Sequence, residues 1–287
     1  NEEFEVLCRE AAKYGIGIVL DGVFSHTGSD SRYFNREGRY GEGGAYRDPN
    51  SPYRSWYDFD PKYKGGYRSW WGFETLPEVN EETPSFVEFI TGEGGVIDTW
   101  LRRGAAGFRL DVADELPDAF IEKIRTAVKR VSPEKFLLGE VWEDATTKFG
   151  FNRRRTYLLG KGLDSVMNYP FKNAVLDFVK GKPAEQAIGE ILSICEHYPA
   201  PAMDTALNFL STHDTERALT VIADEPANGR GREWQSGRCV TGEAYEEGML
   251  RLRMAYAIIY TLPGVPCLYY GDEIGMQGYR DPFNRAF

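Results

Sequence analysis

Short apolar runs alternate with amphipathic stretches along most of the chain. IGIVLD (16–21), AGFRLDV (106–112), KFLLGEV (135–141), GLDSVMNY (162–169), ALNFLSTHD (206–214) and GVPCLYYGDE (264–273) are short, apolar and flanked by Gly or polar residues, the pattern of parallel strands covered on both faces. Helical periodicities lie between them. Phe4, Leu7, Cys8, Ala11 and Ala12 repeat at helical spacing and stop at Gly15. Phe120, Ile121, Ile124, Ala127, Val128 and Val131 share one helical face. Thr83 followed by Pro84 predicts an N-cap and a proline in the first turn. That helix is expected to run to near Gly104 and to break at GEGG (92–95). Longer helical patterns cover 171–195 and 245–262. Strand–helix alternation sustained six times predicts a parallel α/β fold. No GxGxxG or GxxxxGK turn follows a strand, which favours a β/α barrel over a nucleotide-binding doubly wound sheet.

One segment breaks the rhythm. The stretch between the first strand and Pro84 is too long for an ordinary βα loop and reads as a functional insertion. Residues 33–73 hold thirteen aromatics and no Val, Ile, Leu or Met. Such a segment cannot build an aliphatic core. It suits a small self-packed aromatic subdomain, a face of rings on which a ligand stacks, or both.

Composition narrows the function. The length of 287 residues fits one large domain or two ordinary ones. With 34 basic against 44 acidic residues the formal charge is −10; without a Lys/Arg block, neither nucleic acid nor an anionic membrane is an expected partner. No apolar run reaches the 18 or so residues of a membrane span. Cys8, Cys195, Cys239 and Cys267 lie far apart and lack CxxC spacing, which suggests reduced thiols and a cytoplasmic setting. The three histidines, His26, His197 and His213, are too few and too scattered to favour a zinc enzyme. The chain opens at Asn1 without a signal-peptide pattern.

The acids carry the chemistry. Asp21, Asp111, Glu140 and Asp214 each fall at the C-terminal end of a different predicted strand. In a β/α barrel those ends converge on the active-site face. A single strand-end acid more often caps the next helix, but four of them in polar surroundings point to catalysis. In GFRLDVADE (107–115), Arg109 and Asp111 are two apart on a strand and should point the same way. A guanidinium there favours an ionised Asp111, suited to nucleophilic attack. Glu140 has the apolar sequence neighbours Leu137, Leu138, Val141 and Trp142, which predict a raised pKa and general-acid work. Two carboxylates pushed in opposite directions suit glycoside hydrolysis. His213 adjoins Asp214 in STHDT (211–215), and His26 follows Asp21; His197 reads as a surface residue near a helix end.

These motifs identify a resemblance. DGVFSH (21–26), GFRLDVADE (107–115), GEVW (139–142) and FLSTHD (209–214) resemble, in order, the four regions of the α-amylase family, glycoside hydrolase family 13. LPEVN (76–80), VMNYPF (166–171), HDTER (213–217) and PGVPCLYYGDEIG (263–275) are similar to the neopullulanase, cyclomaltodextrinase and maltogenic amylase group. The resemblance implies Asp111 as nucleophile, Glu140 as acid/base and Asp214 as the carboxylate that holds the sugar. Arg109, His26, His213, Asp21 and Trp142 become substrate-site candidates. It implies a retaining hydrolase of maltodextrins, cyclodextrins or pullulan, with the Asp111 and Glu140 carboxyls roughly 5–5.5 Å apart. A glucan transferase using the same acids and a non-catalytic sugar-binding homologue are the alternatives. The family's calcium-holding Asn is replaced by Ser25, and no cofactor is implied. The six strands would be the third to eighth of a (β/α)8 TIM barrel. The barrel would occupy 1–23 and 84–287, and an inserted subdomain 24–83. The first two strands would precede Asn1 and a C-terminal β-domain would follow Phe287. Open barrel edges would then favour a homodimer.

Overall fold

The apolar runs become parallel strands and the amphipathic stretches helices, giving an α/β protein. The computed structural model describes residues 1–286 and divides into two units. One comprises Asn1–Glu140 with Phe149–Asp164; the other comprises Val141–Lys148 with the described residues from Ser165 onward.

In the first unit, helix α1 (Glu2–Ala12) leads into strand β1 (Val19–Gly22). Helices α2 (Pro84–Thr91) and α3 (Val96–Arg102) precede strand β2 (Gly107–Leu110), and helix α4 (Asp118–Val131) precedes strand β3 (Phe136–Gly139). A two-residue hairpin, β4 (Phe149–Gly150) and β5 (Arg153–Arg154), completes the set. β1, β2 and β3 lie parallel in that order, with Asp21 beside Arg109 and Leu110 beside Gly139. A Cβ on Gly107 would run into the Phe136 carbonyl, so glycine lets β2 approach β3 closely. The expected break falls between α2 and α3, where Gly94 takes φ +72°. Thr83 departs from expectation: its hydroxyl donates to the Ser55 carbonyl (3.1 Å) instead of capping α2.

The aromatic segment packs largely on itself. Phe34, Trp56, Tyr57 and Tyr67 are buried, with the Phe34 ring 4.7 Å from Tyr67 and 4.8 Å from Tyr57. Edge-to-face pairs at this spacing replace the absent aliphatic core. Trp71 and Phe73 remain exposed.

In the second unit, strand β6 (Ser165–Val166) is followed by helices α5 (Tyr169–Val179), α6 (Ala184–His197) and α7 (Ala200–Asp204). Strand β7 (Leu207–Asn208) precedes α8 (Ala218–Ala223), α9 (Arg232–Ser236) and α10 (Gly242–Ile259), and strand β8 (Val265–Pro266) comes last. β7 pairs in parallel with β8, and Met167, just past β6, bridges Leu207. The single helical pattern over 171–195 resolves into α5 and α6, because Gly181 (φ +112°) and Pro183 interrupt it. Val175, Leu176 and Val179 of α5, Leu219 and Ile222 of α8, and Leu252, Ala255 and Ile259 of α10 form the core. Each buried Val, Leu or Ile side chain there contributes about 1.5–3 kcal/mol. The four cysteines are unbonded. Among the described residues no helix is long and apolar enough to cross a membrane, and no cluster of three or more His, Cys, Asp or Glu could hold a metal.

Asp164 ties α4 to β3. It accepts from Arg125 (2.7 Å), Lys129 (2.7 Å) and the Leu137 amide (2.9 Å). Burial pushes its carboxyl up, but those donors together outweigh it and hold it below the ordinary value. A depressed carboxyl stabilises the fold above its unfolded pKa, and that contribution is lost as pH falls through the folded value. Asp164→Asn is therefore expected to cost roughly 2–4 kcal/mol near neutrality, read as a lower Tm. The gap from wild type should close as pH falls below about 4; a gap that persists undiminished in strong acid would contradict this account.

Candidate active site

β1, β2 and β3 end side by side, so the residues at their C-terminal ends meet. Arg109 lies at the centre. Its Nη1 donates to both Asp21 oxygens (2.7 and 2.9 Å) and to Asp111 Oδ1 (2.9 Å), and its Nη2 lies 2.7 Å from Glu140 Oε2. Arg109 and Asp111 point together, as their spacing predicts. Ladder bonds hold the two acids' backbones: the Asp111 amide donates to Gly22 O (3.2 Å) and the Glu140 amide to Leu110 O (3.0 Å).

The electrostatic expectation for Asp111 needs correction. Burial raises the Asp111 carboxyl above its ordinary value; Arg109 opposes this and Asp21 adds to it. Arg109 is thus outweighed, contrary to the pairwise expectation of a depressed Asp111. Glu140 is buried, but its surroundings are not simply apolar. Its Oε2 meets Arg109 and accepts the Val112 amide at 2.8 Å. Sequence neighbours alone misjudge this environment, since the donors come from β2 and the turn after it.

Val112 carries no sequence signal. It adopts the left-handed conformation (φ +44°, ψ +51°), a strained choice for a β-branched residue. The reversal aims its amide at Glu140. Behind it, the fully buried Arg155 donates to Asp114 O (2.7 Å), Leu116 O (2.6 Å) and Asp118 Oδ1 (2.7 Å), pinning the turn.

His26 sits beside this cluster. Ser25 Oγ lies 2.9 Å from its Nδ1, and its ring is 5.5 Å from Trp70. Burial lowers the imidazole below its ordinary value against the pull of Asp111 and Glu115. LPEVN runs antiparallel to this segment: Thr27 donates to Pro77 O (3.0 Å) and Val79 to Ser25 O (3.0 Å). Glu115 accepts from the indoles of Trp70 (2.7 Å) and Trp71 (2.8 Å), a contact that the sequence does not reveal. A cleft of about 870 Å³ opens here, lined by Trp70, Trp71, Glu115, Arg68 and Glu81 among others. Burial pushes Glu81 up to about 7.

The second unit holds the remaining candidates. His213 Nε2 lies 3.1 Å from Asp214 Oδ2, and Arg285 Nη2 lies 3.9 Å from Asp214 Oδ1. The Asp214 amide donates to Thr212 Oγ1 (3.2 Å). Trp142, itself exposed, stacks on Tyr169 at 4.1 Å and 16°, and Tyr169 meets Phe209 edge-on. His197 ends α6 as expected, but its Nδ1 is paired with Asp144 at 2.5 Å. The structure thus gathers Asp21, His26, Arg109, Asp111 and Glu140 in one unit, and His213 and Asp214 in the other.

Comparison with known proteins agrees. Residues 1–286 match the α-amylase catalytic domain. The chain is 36% identical to an amylopullulanase of Thermoanaerobacter thermohydrosulfuricus over 98% of its length, covering 20% of that protein. It is 32% identical to neopullulanase 2 of Thermoactinomyces vulgaris over 97% of its length, covering 42% of that protein. Among solved structures, the cyclic α-maltosyl-(1→6)-maltose hydrolase of Arthrobacter globiformis superposes with a TM-score of 0.79 at 27% identity, over 99% of this chain and 56% of that one. The chain therefore spans well under two thirds of these relatives. Strands, motifs and relatives agree: the chain belongs to the α-amylase family, glycoside hydrolase family 13.

Proposed function

We propose that the protein is a retaining hydrolase of α-glucosidic bonds in maltodextrins, cyclodextrins or pullulan. The observation that carries this reading is the Arg109 guanidinium shared by Asp111 and Glu140. A shared guanidinium supports the short carboxyl separation, roughly 5–5.5 Å, that retention requires. Relatives named amylopullulanase, neopullulanase and cyclomaltodextrinase support the substrate class. We further read the six parallel strands as the third to eighth of a TIM-type barrel and residues 24–83 as its inserted subdomain.

Glu140 gives its proton to the glycosidic oxygen while the Asp111 carboxylate attacks the anomeric carbon. The carbon–oxygen bond breaks, the leaving sugar departs as an alcohol, and a glycosyl ester forms on Asp111. Water then attacks the same carbon and returns a proton to Glu140, and Asp111 leaves as a carboxylate. Asp214, by its place in FLSTHD, takes the part of the third carboxylate, with His213 and His26 as hydroxyl partners. Trp142 and the exposed Trp71 offer ring faces on which glucose units stack.

Glu140→Gln is expected to lower kcat on maltotriose, γ-cyclodextrin and pullulan by on the order of 10²–10⁴-fold. With an aryl α-glycoside, azide should restore its turnover and yield the α-glycosyl azide. Initial products of the wild type should be α-anomers by NMR; β-anomers would rule out retention. Chains longer than the substrate at high maltotriose would shift the reading to transfer.

The acid limb of kcat/KM should lie above the ordinary Asp value, about 3.9, because burial raises Asp111 and the nucleophile must be ionised. Asp21 adds negative charge that disfavours this ionisation. Asp21→Asn should therefore move the acid limb to lower pH. An unmoved limb, or one shifted upward, would refute the assignment of that limb to Asp111.

A further inference from the structure

We propose that Asn284 is a positioning residue that fixes the backbone of the loop carrying His213 and Asp214; the proposal rests on the glycosidase reading above. Asn284 lies in a short 3₁₀ turn (Phe283–Arg285), is fully buried, and bonds to the backbone of the loop that it would position. Its amide nitrogen donates to His213 O (2.7 Å) and Thr215 O (2.8 Å), with Thr212 O at 3.3 Å. Its Oδ1 has no hydrogen-bond partner among the described residues, so the amide nitrogen is what the side chain contributes. Buried loop carbonyls need donors that a regular ladder would otherwise provide, and one primary amide reaches the carbonyls on both sides of Asp214.

The clamp is itself anchored. The buried Arg217 donates through Nε to Asn284 O (2.8 Å) and through Nη1 to Tyr270 O and Asp272 Oδ1 (3.1 Å). Its guanidinium lies 4.2 Å from the Tyr269 ring and 4.7 Å from the Tyr270 ring. Asp272 in turn accepts from Tyr256 of α10 (2.7 Å). A chain of buried polar contacts thus runs from α10 through Asp272, Arg217 and Asn284 to the Asp214 loop. The next residue on the same turn, Arg285, is the one that approaches Asp214. Without Asn284 the carbonyls flanking Asp214 lose their donor, and the carboxylate loses its fixed direction.

A double-mutant cycle on the full-length protein tests this, with an activated aryl α-maltoside so that low rates remain readable. Asn284→Ala is expected to lower kcat on the order of 10- to 100-fold with little change in KM, the effect of a misplaced catalytic group. Placed on Asp214→Asn, the same substitution should cost almost nothing further, because its effect runs through Asp214. Asn284→Ser, which keeps one donor, should fall between Ala and wild type, and it carries the cycle if thermal unfolding shows that Ala does not fold. Equal losses in both backgrounds would mean general destabilisation and would overturn the proposal. So would an unchanged kcat in Asn284→Ala. A wild type that releases nothing, or an Asp214→Asn variant as active as wild type, would instead overturn the glycosidase reading.

Discussion

The structure of the site depends on one cation. Arg109 meets Asp21, Asp111 and Glu140 at the ends of three neighbouring strands. Partly buried carboxylates are costly unless paired, and three carboxylates to one guanidinium leave negative charge in excess. Burial, with the charge of Asp21 added to it, keeps Asp111 above its ordinary value despite the adjacent arginine. The parallel register makes the arrangement possible. Asp21 sits directly across from Arg109, and Leu110 across from Gly139, so the next residue on each strand is the acid. A one-residue slip would turn the side chain to the opposite face of the sheet.

Once the strands end, the chain must reverse without letting water or motion loosen the acids. Val112 does this in a conformation unusual for valine, and the gain is an amide directed at Glu140. The same amide could not reach Glu140 from an extended strand, where successive groups point to alternate sides. Arg155 then occupies the space beneath the turn and satisfies the carbonyls of Asp114 and Leu116. Strain at Val112 is thus held in place by the hydrogen bonds that Arg155 makes to the carbonyls following it.

Much of this was legible in the sequence, for identifiable reasons. Five of the six strands fall inside the apolar runs that predict them and β1 overruns its own by Gly22, although each is only two to four residues long where the run is six to ten. The expectation that all six runs are covered on both faces fails at the first and last, where Val19 of β1 (45%) and Val265 of β8 (44%) are exposed, while β2, β3 and β6 are largely buried. The helix break at 92–95 follows from its glycines. The Thr83 hydroxyl accepts no helix amide and instead donates to the carbonyl of Ser55, distant in sequence. Asp111 and Glu140 follow β2 and β3 at the strand ends, but their surroundings depend on residues from other elements. The Arg109–Asp111 spacing carries no sign of Asp21 or of burial, and the neighbours of Glu140 along the chain carry no sign of Arg109 or the Val112 amide. The indole clamp by Glu115, the turn at Val112 and the grip of Asn284 join residues far apart in sequence or depend on backbone conformation, and no local pattern announces them.

Each unit secures its acid-bearing loop by the same physical means. In one, a fully buried Arg155 donates to the carbonyls that follow Asp111; in the other, a fully buried Arg217 holds Asn284, which donates to the carbonyls around Asp214. A guanidinium suits the task because it carries several donors in a fixed plane and stays charged at any pH the fold survives. Both are backed by aromatic rings: Tyr157 and Phe151 for Arg155, Tyr269 and Tyr270 for Arg217. Ring faces stabilise a buried cation without competing for its N–H groups. Those groups stay available to the loop carbonyls. The backbone that carries the carboxylates is thus held by donors other than the carboxylates themselves.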